Sequence, residues 1–101
     1  MVIERFQIWR VDLAQNNTSQ LCVVVSPNEL SALDTVIVAP MSSKLKAYPS
    51  RVACHFRGVD GVIALDQIKA VDRAYLIQHV GLLELESQID VCNVLGELFA
   101  W

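Results

Sequence analysis

Residues 36–49 read VIVAPMSSKLKAYP, and this stretch decides the predicted fold. Its first residues belong to the segment TVIVA at 35–39, in which four apolar residues follow Thr35. Such a run is typical of a β-strand buried on both faces. We predict that Pro40 ends this strand. The polar, basic segment SSKLKA at 42–47 is predicted to be a loop.

Further short strands are predicted on both sides of this stretch. Alternating apolar residues at 5–13 indicate a first strand, and the apolar run LCVVV at 21–25 indicates a second, buried one. Downstream, 50–66 is predicted to form a hairpin that turns at Asp60-Gly61. Residues 76–83 indicate one more strand. The chain therefore predicts five or six strands in hairpin-like order.

The period of the apolar residues changes near the C-terminus. From Leu85 they fall at helical spacing, which predicts an amphipathic helix, and Gly96 within it is expected to mark close packing. The predicted fold class is mainly β with a C-terminal helix (α+β): a small SH3-like antiparallel barrel capped by that helix, as one domain over 1–101. The apolar line of the helix comprises Leu85, Ile89, Cys92, Leu95 and Phe99.

Size and composition limit the class of protein. The chain has 101 residues, of which 53% are hydrophobic and 19% charged, so it is expected to fold as one domain rather than to be disordered. No apolar run approaches the ~18 residues of a membrane span, and the N-terminus does not read as a signal peptide. We therefore expect a cytoplasmic protein without membrane contact, and its high apolar content favours self-association.

Charge and cysteine usage narrow the chemistry. The net charge is −3, yet residues 42–73 carry six basic and three acidic groups, which could present a positive field to a phosphate backbone. An ordinary solvated surface is the alternative. The three cysteines form no CxxC pair, and adjacent Cys54 and His55 point to opposite faces of a strand. We predict no metal, no cofactor and no disulfide.

Polar side chains follow two predicted buried strands and form the candidate site. Ser42 and Ser43 follow one strand, and Asp66 and Gln67 follow another. We hypothesise that the 42 hydroxyl and the 66 carboxylate meet at the rim of one groove. Purely structural roles at a strand end and a turn are the alternative. Nearby residues offer the cations and the aromatic face that single-stranded nucleic acid binds: Lys44, Lys46 and Tyr48.

These motifs also carry a family resemblance. VIVAPMSS, KAYPSRV and LDQIKAVDRAYL, preceded by FQIWRVDL and CVVVSP, resemble the MazF/PemK toxins in order and spacing over nearly the whole chain. The resemblance implies an SH3-like barrel, a homodimer and a toxin neutralised by a cognate antitoxin. The activity it implies is sequence-specific, metal-independent cleavage of single-stranded RNA.

The resemblance also implies site residues. Ser42 falls on the Thr/Ser position of the family, Asp66 on the acidic position of its DQ-type motif, and Gln20-Leu21 stand where the family has Arg-Pro. Glutamine can donate hydrogen bonds but is no proton donor at neutral pH, so the missing arginine predicts an attenuated cleavage activity. Whether Arg10, Arg51 or a lysine of 44–46 takes the role of the missing arginine is left open. The predicted catalytic set is Ser42, Asp66 and Gln20, with an RNA path over Ser43, Lys44, Lys46, Tyr48, Arg51, Gln67 and Lys69.

A binding function is the alternative to catalysis. The CcdB toxins resemble the same fold, lack the arginine-bearing loop and bind DNA gyrase through the C-terminal helix. This chain ends in LFAW at 98–101, and tryptophan is common at the energetic centres of interfaces. Under this reading Phe99 and Trp101 bind a protein partner. Packing of Trp101 back onto the domain is the structural alternative.

Overall fold

A computed structural model of the chain describes residues 3–12, 19–28 and 34–100. Within these ranges it forms seven strands and one C-terminal helix, which confirms the predicted fold class. The elements are β1 (Gln7–Asp12), β2 (Ser19–Val24), β3 (Thr35–Ser42), β4 (Arg51–Phe56), β5 (Val59–Ala64), β6 (Lys69–Asp72), β7 (Leu76–Leu82) and α1 (Leu85–Leu98). Short 3-10 turns at Leu65–Gln67 and Arg73–Tyr75 flank β6. Trp101 and most of the predicted loop at 14–20 lie outside the described residues.

The strands form one strongly curled antiparallel sheet. Their order is β4-β5-β3-β2-β1-β7, and β6 pairs separately with β3. The first half of β3, Thr35 to Val38, pairs with β6, whereas Met41 and Ser42 pair with β5. Because β3 changes partner along its length, the sheet bends into a small barrel. This bend brings the end of β3 to the mouth of the barrel.

Strand β3 runs through Pro40, so the predicted end at this residue is wrong. Pro40 lies opposite Cys22 of β2, and on the other side of β3 it falls between the segments that pair with β6 and with β5. A proline lacks an N–H to donate, and at this position no ladder bond to β5 or β6 is interrupted. Ser42 is therefore the last residue of a strand rather than the first of a loop.

The predicted hairpin over 50–66 is present, but its turn lies elsewhere. Phe56 pairs with Val59, so the turn consists of Arg57 and Gly58, with φ of 52° and 78°. Two positive φ angles are the geometry of a type I′ turn, whose twist matches that of the strands. Asp60-Gly61, the predicted turn, instead lies within β5.

Two apolar clusters cover the two faces of β1. Ile8 belongs to the first cluster, whereas Trp9 and Val11 belong to the second, as the alternation along the strand predicts. Trp9 is 1% exposed, its Nε1 donates to Gln7 Oε1 at 3.0 Å, and its ring stacks on His79 with centroids 5.3 Å apart. The first cluster also receives Val91 of α1.

Most of the apolar line predicted for α1 lies away from the core, although Leu95 of that line packs partly buried against the first cluster. The buried residues of α1 are Ser87 and Val91, whereas Leu85 and Ile89 are 70% and 54% exposed. Ser87 Oγ lies 3.2 Å from Ala53 O of β4 and 3.1 Å from a carboxylate oxygen of Glu84, just before the helix, so its single proton is shared between these two acceptors and ties this face of α1 to β4. An added Cβ at Gly96 would meet nothing within 4 Å, so the predicted close packing there is wrong.

Candidate active site

A cavity of about 440 Å³ opens at the barrel mouth, where the end of β3 faces the turn of the β4–β5 hairpin. Ser42, the last residue of β3, and Ser43 directly after it line the cavity. Two arginines, Arg10 of β1 and Arg57 of the hairpin turn, line the same space. Further polar side chains come from β2, through Ser19 and Gln20, and from β5, through Asp60.

The charged groups of this cavity favour an anion. Among its lining residues, Arg10 and Arg57 are cations and Asp60 is the single carboxylate. The Asp60 side chain is 94% exposed, and its Oδ1 lies 2.7 Å from Nδ1 of His55, which does not line the cavity. Two guanidinium groups beside hydroxyls therefore give the cavity a positive potential.

The Ser42 hydroxyl is oriented by the chain that follows it. Its Oγ accepts a hydrogen bond from the backbone N–H of Lys44 at 3.1 Å. A hydroxyl that accepts in this way still carries its own proton, which it can donate to another oxygen. Ser42 can therefore offer a hydrogen bond to an anion bound in the cavity.

Gln20 lies beside Ser42, but its amide hydrogens are already used. Nε2 donates to Met41 O at 2.8 Å and to Leu21 O at 3.2 Å. A side-chain amide has two N–H donors, so only the acceptor Oε1 is left to face a ligand. Gln20 therefore joins β2 to the end of β3 and offers an anion no donor in this conformation.

The hairpin turn closes the cavity by packing onto β7. Arg57 Nη2 donates to Val80 O at 2.6 Å, and its guanidinium carbon lies 5.1 Å from the centroid of the Phe56 ring. Gly81 permits this approach, because a Cβ there would lie 2.6 Å from Phe56 Cε1. The two ends of the sheet are thereby joined. Arg57 was not among the predicted site residues, since nothing in the neighbouring sequence indicates that this turn reaches β7.

The structure does not bring Asp66 to this cavity. Arg51 instead binds it in two places, Nε to Oδ1 at 3.0 Å and Nη2 to Oδ2 at 3.2 Å. The Arg51 guanidinium also donates to Lys46 O at 3.0 Å and lies 4.6 Å from the Tyr48 ring centroid. Neither Asp66 nor Arg51 lines the cavity with Ser42. They form a second polar cluster that fastens the segment between β3 and β4.

The Arg51–Asp66 pair makes stability depend on pH. The hydrogen bond from Arg51 holds the pKa of Asp66 below its ordinary value of 3.8. The unfolded chain therefore binds more protons, so this stabilisation is complete above pH 3.8 and is lost as the pH falls through the lowered pKa. We expect the unfolding temperature of Asp66→Asn to fall less on acidification than that of the native chain. Asp90→Asn, which removes an exposed carboxylate of α1, is the matched control, and its unfolding temperature should fall on acidification as that of the native chain does. If the unfolding temperature fell equally in Asp90→Asn and Asp66→Asn, this account would be contradicted.

The other predicted RNA-binding residues lie outside the cavity lining. Lys44, Lys46 and Tyr48 occupy the segment after β3, and Tyr48 is 50% exposed. Gln67 shares the 3-10 turn of Asp66, and Lys69 opens β6 opposite Val38. Phe99, predicted to bind a partner, is exposed at the end of α1.

The cysteines differ in exposure, because Cys22 and Cys54 are buried whereas Cys92 on α1 is exposed. Burial raises the pKa of both Cys22 and Cys54 to about 11, so these thiols stay protonated at neutral pH. Across the described residues, no three His, Cys, Asp or Glu side chains cluster as a metal site requires. No helix in the same ranges is long and apolar enough to cross a membrane.

Comparison with known families identifies the chain. The model of the PemK-like, MazF-like toxins of type II toxin–antitoxin systems matches residues 4–99. The chain belongs to this family. The resemblance drawn from the sequence motifs is thus confirmed. No curated protein matches the sequence.

Solved structures place this PemK/MazF-like chain among toxins of the same fold. An endoribonuclease in complex with its cognate antitoxin, from a Mycobacterial species, has a TM-score of 0.85 at 18% identity and covers 98% of each chain. MazF in a MazE–MazF crystal from Deinococcus radiodurans has a TM-score of 0.83 at 20% identity, covering 99% of this chain and 97% of that one. The MazF-mt6 toxin of Mycobacterium tuberculosis reaches 0.77 at 15% identity, covering 92% and 95%. At these identities the likeness shows the shared fold.

Proposed function

We propose that this PemK/MazF-like chain is a toxin that cleaves single-stranded RNA at specific sequences without a metal ion. One observation carries the proposal: the Ser42 hydroxyl and the guanidinium groups of Arg10 and Arg57 line one anion-favouring cavity. Endoribonucleases among the solved structures of this fold support the same reaction class.

The reaction uses a nucleophile from the RNA itself. The ribose 2′-oxygen loses its proton and bonds to the adjacent phosphorus, and the bond to the 5′-oxygen breaks as that oxygen takes up a proton. Negative charge builds on the phosphoryl oxygens between these events, and fixed hydrogen-bond donors lower the barrier by stabilising it. Ser42 donates one such bond, while Gln20 holds the end of β3 in place.

Asp66 fits a positioning role better than that of the base. Its lowered pKa and its two bonds with Arg51 make it a weak proton acceptor at neutral pH. By holding Arg51 it orders the segment that carries Lys46 and Tyr48. We assign this segment, together with Ser43, Lys44, Gln67 and Lys69, to the path of the RNA strand.

We also propose a homodimer and a cognate antitoxin as partners of the chain. Large apolar side chains remain exposed on β7 and α1, which is unusual for a monomer of this size and typical of association surfaces. They include Leu82, Leu85, Ile89 and Phe99. A solved endoribonuclease of the same fold is bound to its cognate antitoxin, which supports the second partner.

Cleavage of a long RNA in EDTA tests the proposed activity. We expect the native chain to yield discrete fragments and Ser42→Ala to cut roughly 10²–10³-fold more slowly, because it removes a preorganised donor. Thr35→Ala, a hydroxyl deletion at the opposite end of β3, is the matched control and should cut at the native rate.

A gyrase–DNA assay run beside this RNA digest separates catalysis from the alternative of gyrase binding. Intact RNA together with stalled gyrase–DNA complexes would support a toxin that binds DNA gyrase through its C-terminal helix. Discrete fragments that Ser42→Ala leaves undiminished would contradict the proposed role of this cavity. Fragments that EDTA suppresses would contradict a metal-independent reaction.

A further inference from the structure

We propose that Arg10 is the phosphate-binding cation of this site, an inference that rests on the proposed ribonuclease function. The reaction places extra negative charge on phosphoryl oxygens, which a guanidinium stabilises best because its planar fork donates two parallel hydrogen bonds. Gln20 offers no free N–H, as both are bound to carbonyl oxygens. The positive charge must therefore come from another side chain of the cavity.

Arg57 is the first candidate, and its contacts assign it a structural role. Its Nη2 donates to Val80 O at 2.6 Å, and its guanidinium lies against the Phe56 ring. Moving it toward a ligand would break the contact that holds the hairpin turn to β7. The residue also occupies a turn with positive φ, away from the paired part of the sheet. Arg57 therefore shapes the cavity rather than supplying the phosphate contact.

Arg51 is excluded by its geometry. Its Nε and Nη2 bind the two oxygens of Asp66, and its Nη1 binds Lys46 O. Its side chain is 7% exposed, and it does not line the cavity with Ser42. A phosphate in that cavity is out of contact with this guanidinium unless the ion pair opens.

Arg10 meets the requirements that the other two arginines fail. It lies in the middle of β1, which is paired on both sides, with Leu21 of β2 and with Gln78 of β7. A side chain on such a strand is held more rigidly than one on a loop. Leu21 adjoins Gln20, so Arg10 reaches the cavity from β1, the strand next to the one that carries the neutral amide.

The hydrogen bonding of Arg10 leaves it suited to an anion. Among the described residues, its side chain makes one hydrogen bond, from Nη1 to Ser19 Oγ at 3.2 Å, a long bond to a neutral hydroxyl. A phosphate oxygen is a much stronger acceptor than that hydroxyl. We infer that the guanidinium binds the scissile phosphate while Ser42 donates to the same group.

Charge-changing variants test this assignment. We expect Arg10→Gln to lower the RNA cleavage rate roughly 10²–10³-fold, as loss of a preorganised charged donor does. Arg73→Gln removes the same charge from the turn before β7, outside the cavity, and should leave the rate unchanged. Equal cleavage rates for Arg10→Gln and the native chain would overturn the inference and leave the proposed function standing.

Binding of an uncleavable strand separates this inference from the proposed function. The probe is a short single-stranded oligodeoxynucleotide, which lacks the 2′-hydroxyl nucleophile. Arg10→Gln should weaken its binding and reduce the slope of log K against log salt by about 0.7, the contribution of one phosphate contact on a single strand. If Arg10→Gln reduces this slope and the native chain does not cut RNA, the result would support Arg10 as the phosphate site and contradict the ribonuclease proposal. An unchanged slope would overturn the inference.

A measurement on the native chain covers the case in which Arg10→Gln folds poorly. The Nε–Hε NMR resonance of Arg10 is expected to shift when the oligodeoxynucleotide is added, whereas that of Arg73 should stay in place. An Arg10 resonance that does not move at saturating oligonucleotide would overturn the assignment. Arg10→Lys keeps the charge without the fork, so we expect it to retain the salt slope and lose part of the cleavage rate.

Discussion

Val91→Asp is expected to lower the free energy of unfolding by roughly 3–5 kcal/mol, because it buries a carboxylate without a partner. Val91 is 0% exposed and packs among the apolar residues of the first cluster. A domain of this size is stabilised by about 5–15 kcal/mol, so this loss removes much of its margin. Urea unfolding followed by circular dichroism measures the change.

The matched control is Ile89→Asp, two residues before Val91 and therefore on the opposite side of α1. Ile89 is 54% exposed, and the free energy of unfolding of the isolated protomer should change by no more than about 0.5 kcal/mol. Sedimentation should instead show weaker self-association if the exposed side of α1 forms the dimer contact. A larger destabilisation by Ile89→Asp than by Val91→Asp would show that α1 packs through the face its apolar spacing indicates.

Trp9→Ala is expected to cost roughly 3–5 kcal/mol of unfolding free energy, the range for removing a large aromatic side chain from a core. The ring is almost wholly buried in the second cluster and is fixed by its hydrogen bond to Gln7 and its stacking on His79. Trp9→Phe keeps an aromatic ring and loses the N–H, so it should cost about 1 kcal/mol from the hydrogen bond, plus the packing loss of a smaller ring. A Trp9→Ala loss as small as that hydrogen bond would show that the second cluster adds little to stability.

The strands were predictable because short alternating or continuous apolar runs are local features. The runs at 35–39 and 21–25 correspond to β3 and β2, and the alternation near Trp9 separates the two clusters. Pro40 and the hairpin turn were mispredicted because each depends on strand pairing. Pro40 fits where β3 changes partner, and Asp60-Gly61 is displaced from the turn by the register that pairs Phe56 with Val59.

The helix shows how tertiary contacts overrule an amphipathic pattern. Leu85 and Ile89 share an apolar line, which by itself predicts the buried face. In the structure, Ser87 contacts Ala53 and Glu84, and Val91 on the same side of the helix lies in the core. Leu85 and Ile89 then remain exposed, and we propose that they belong to an association surface.

The candidate site divides in the same way. Ser42 was predictable because a hydroxyl at the end of a buried strand is a local signal that the family motif repeats. Asp66, its proposed partner, instead forms an ion pair with Arg51, fifteen residues earlier in the chain. Arg57 shares the cavity with Ser42 because its hairpin turn packs onto β7 at Phe56 and Gly81, whereas Arg10 enters from β1, two strands away from β3.

By itself, the sequence determined the family, the mainly β class with its C-terminal helix, and the buried strand that precedes Ser42, because each rests on residues close together in the chain. Only the tertiary structure decided which charges face that hydroxyl and which side of α1 stays exposed. Those outcomes depend on strand register, on the partner change within β3 and on hydrogen bonds between distant elements. None of these is encoded in the spacing of neighbouring residues.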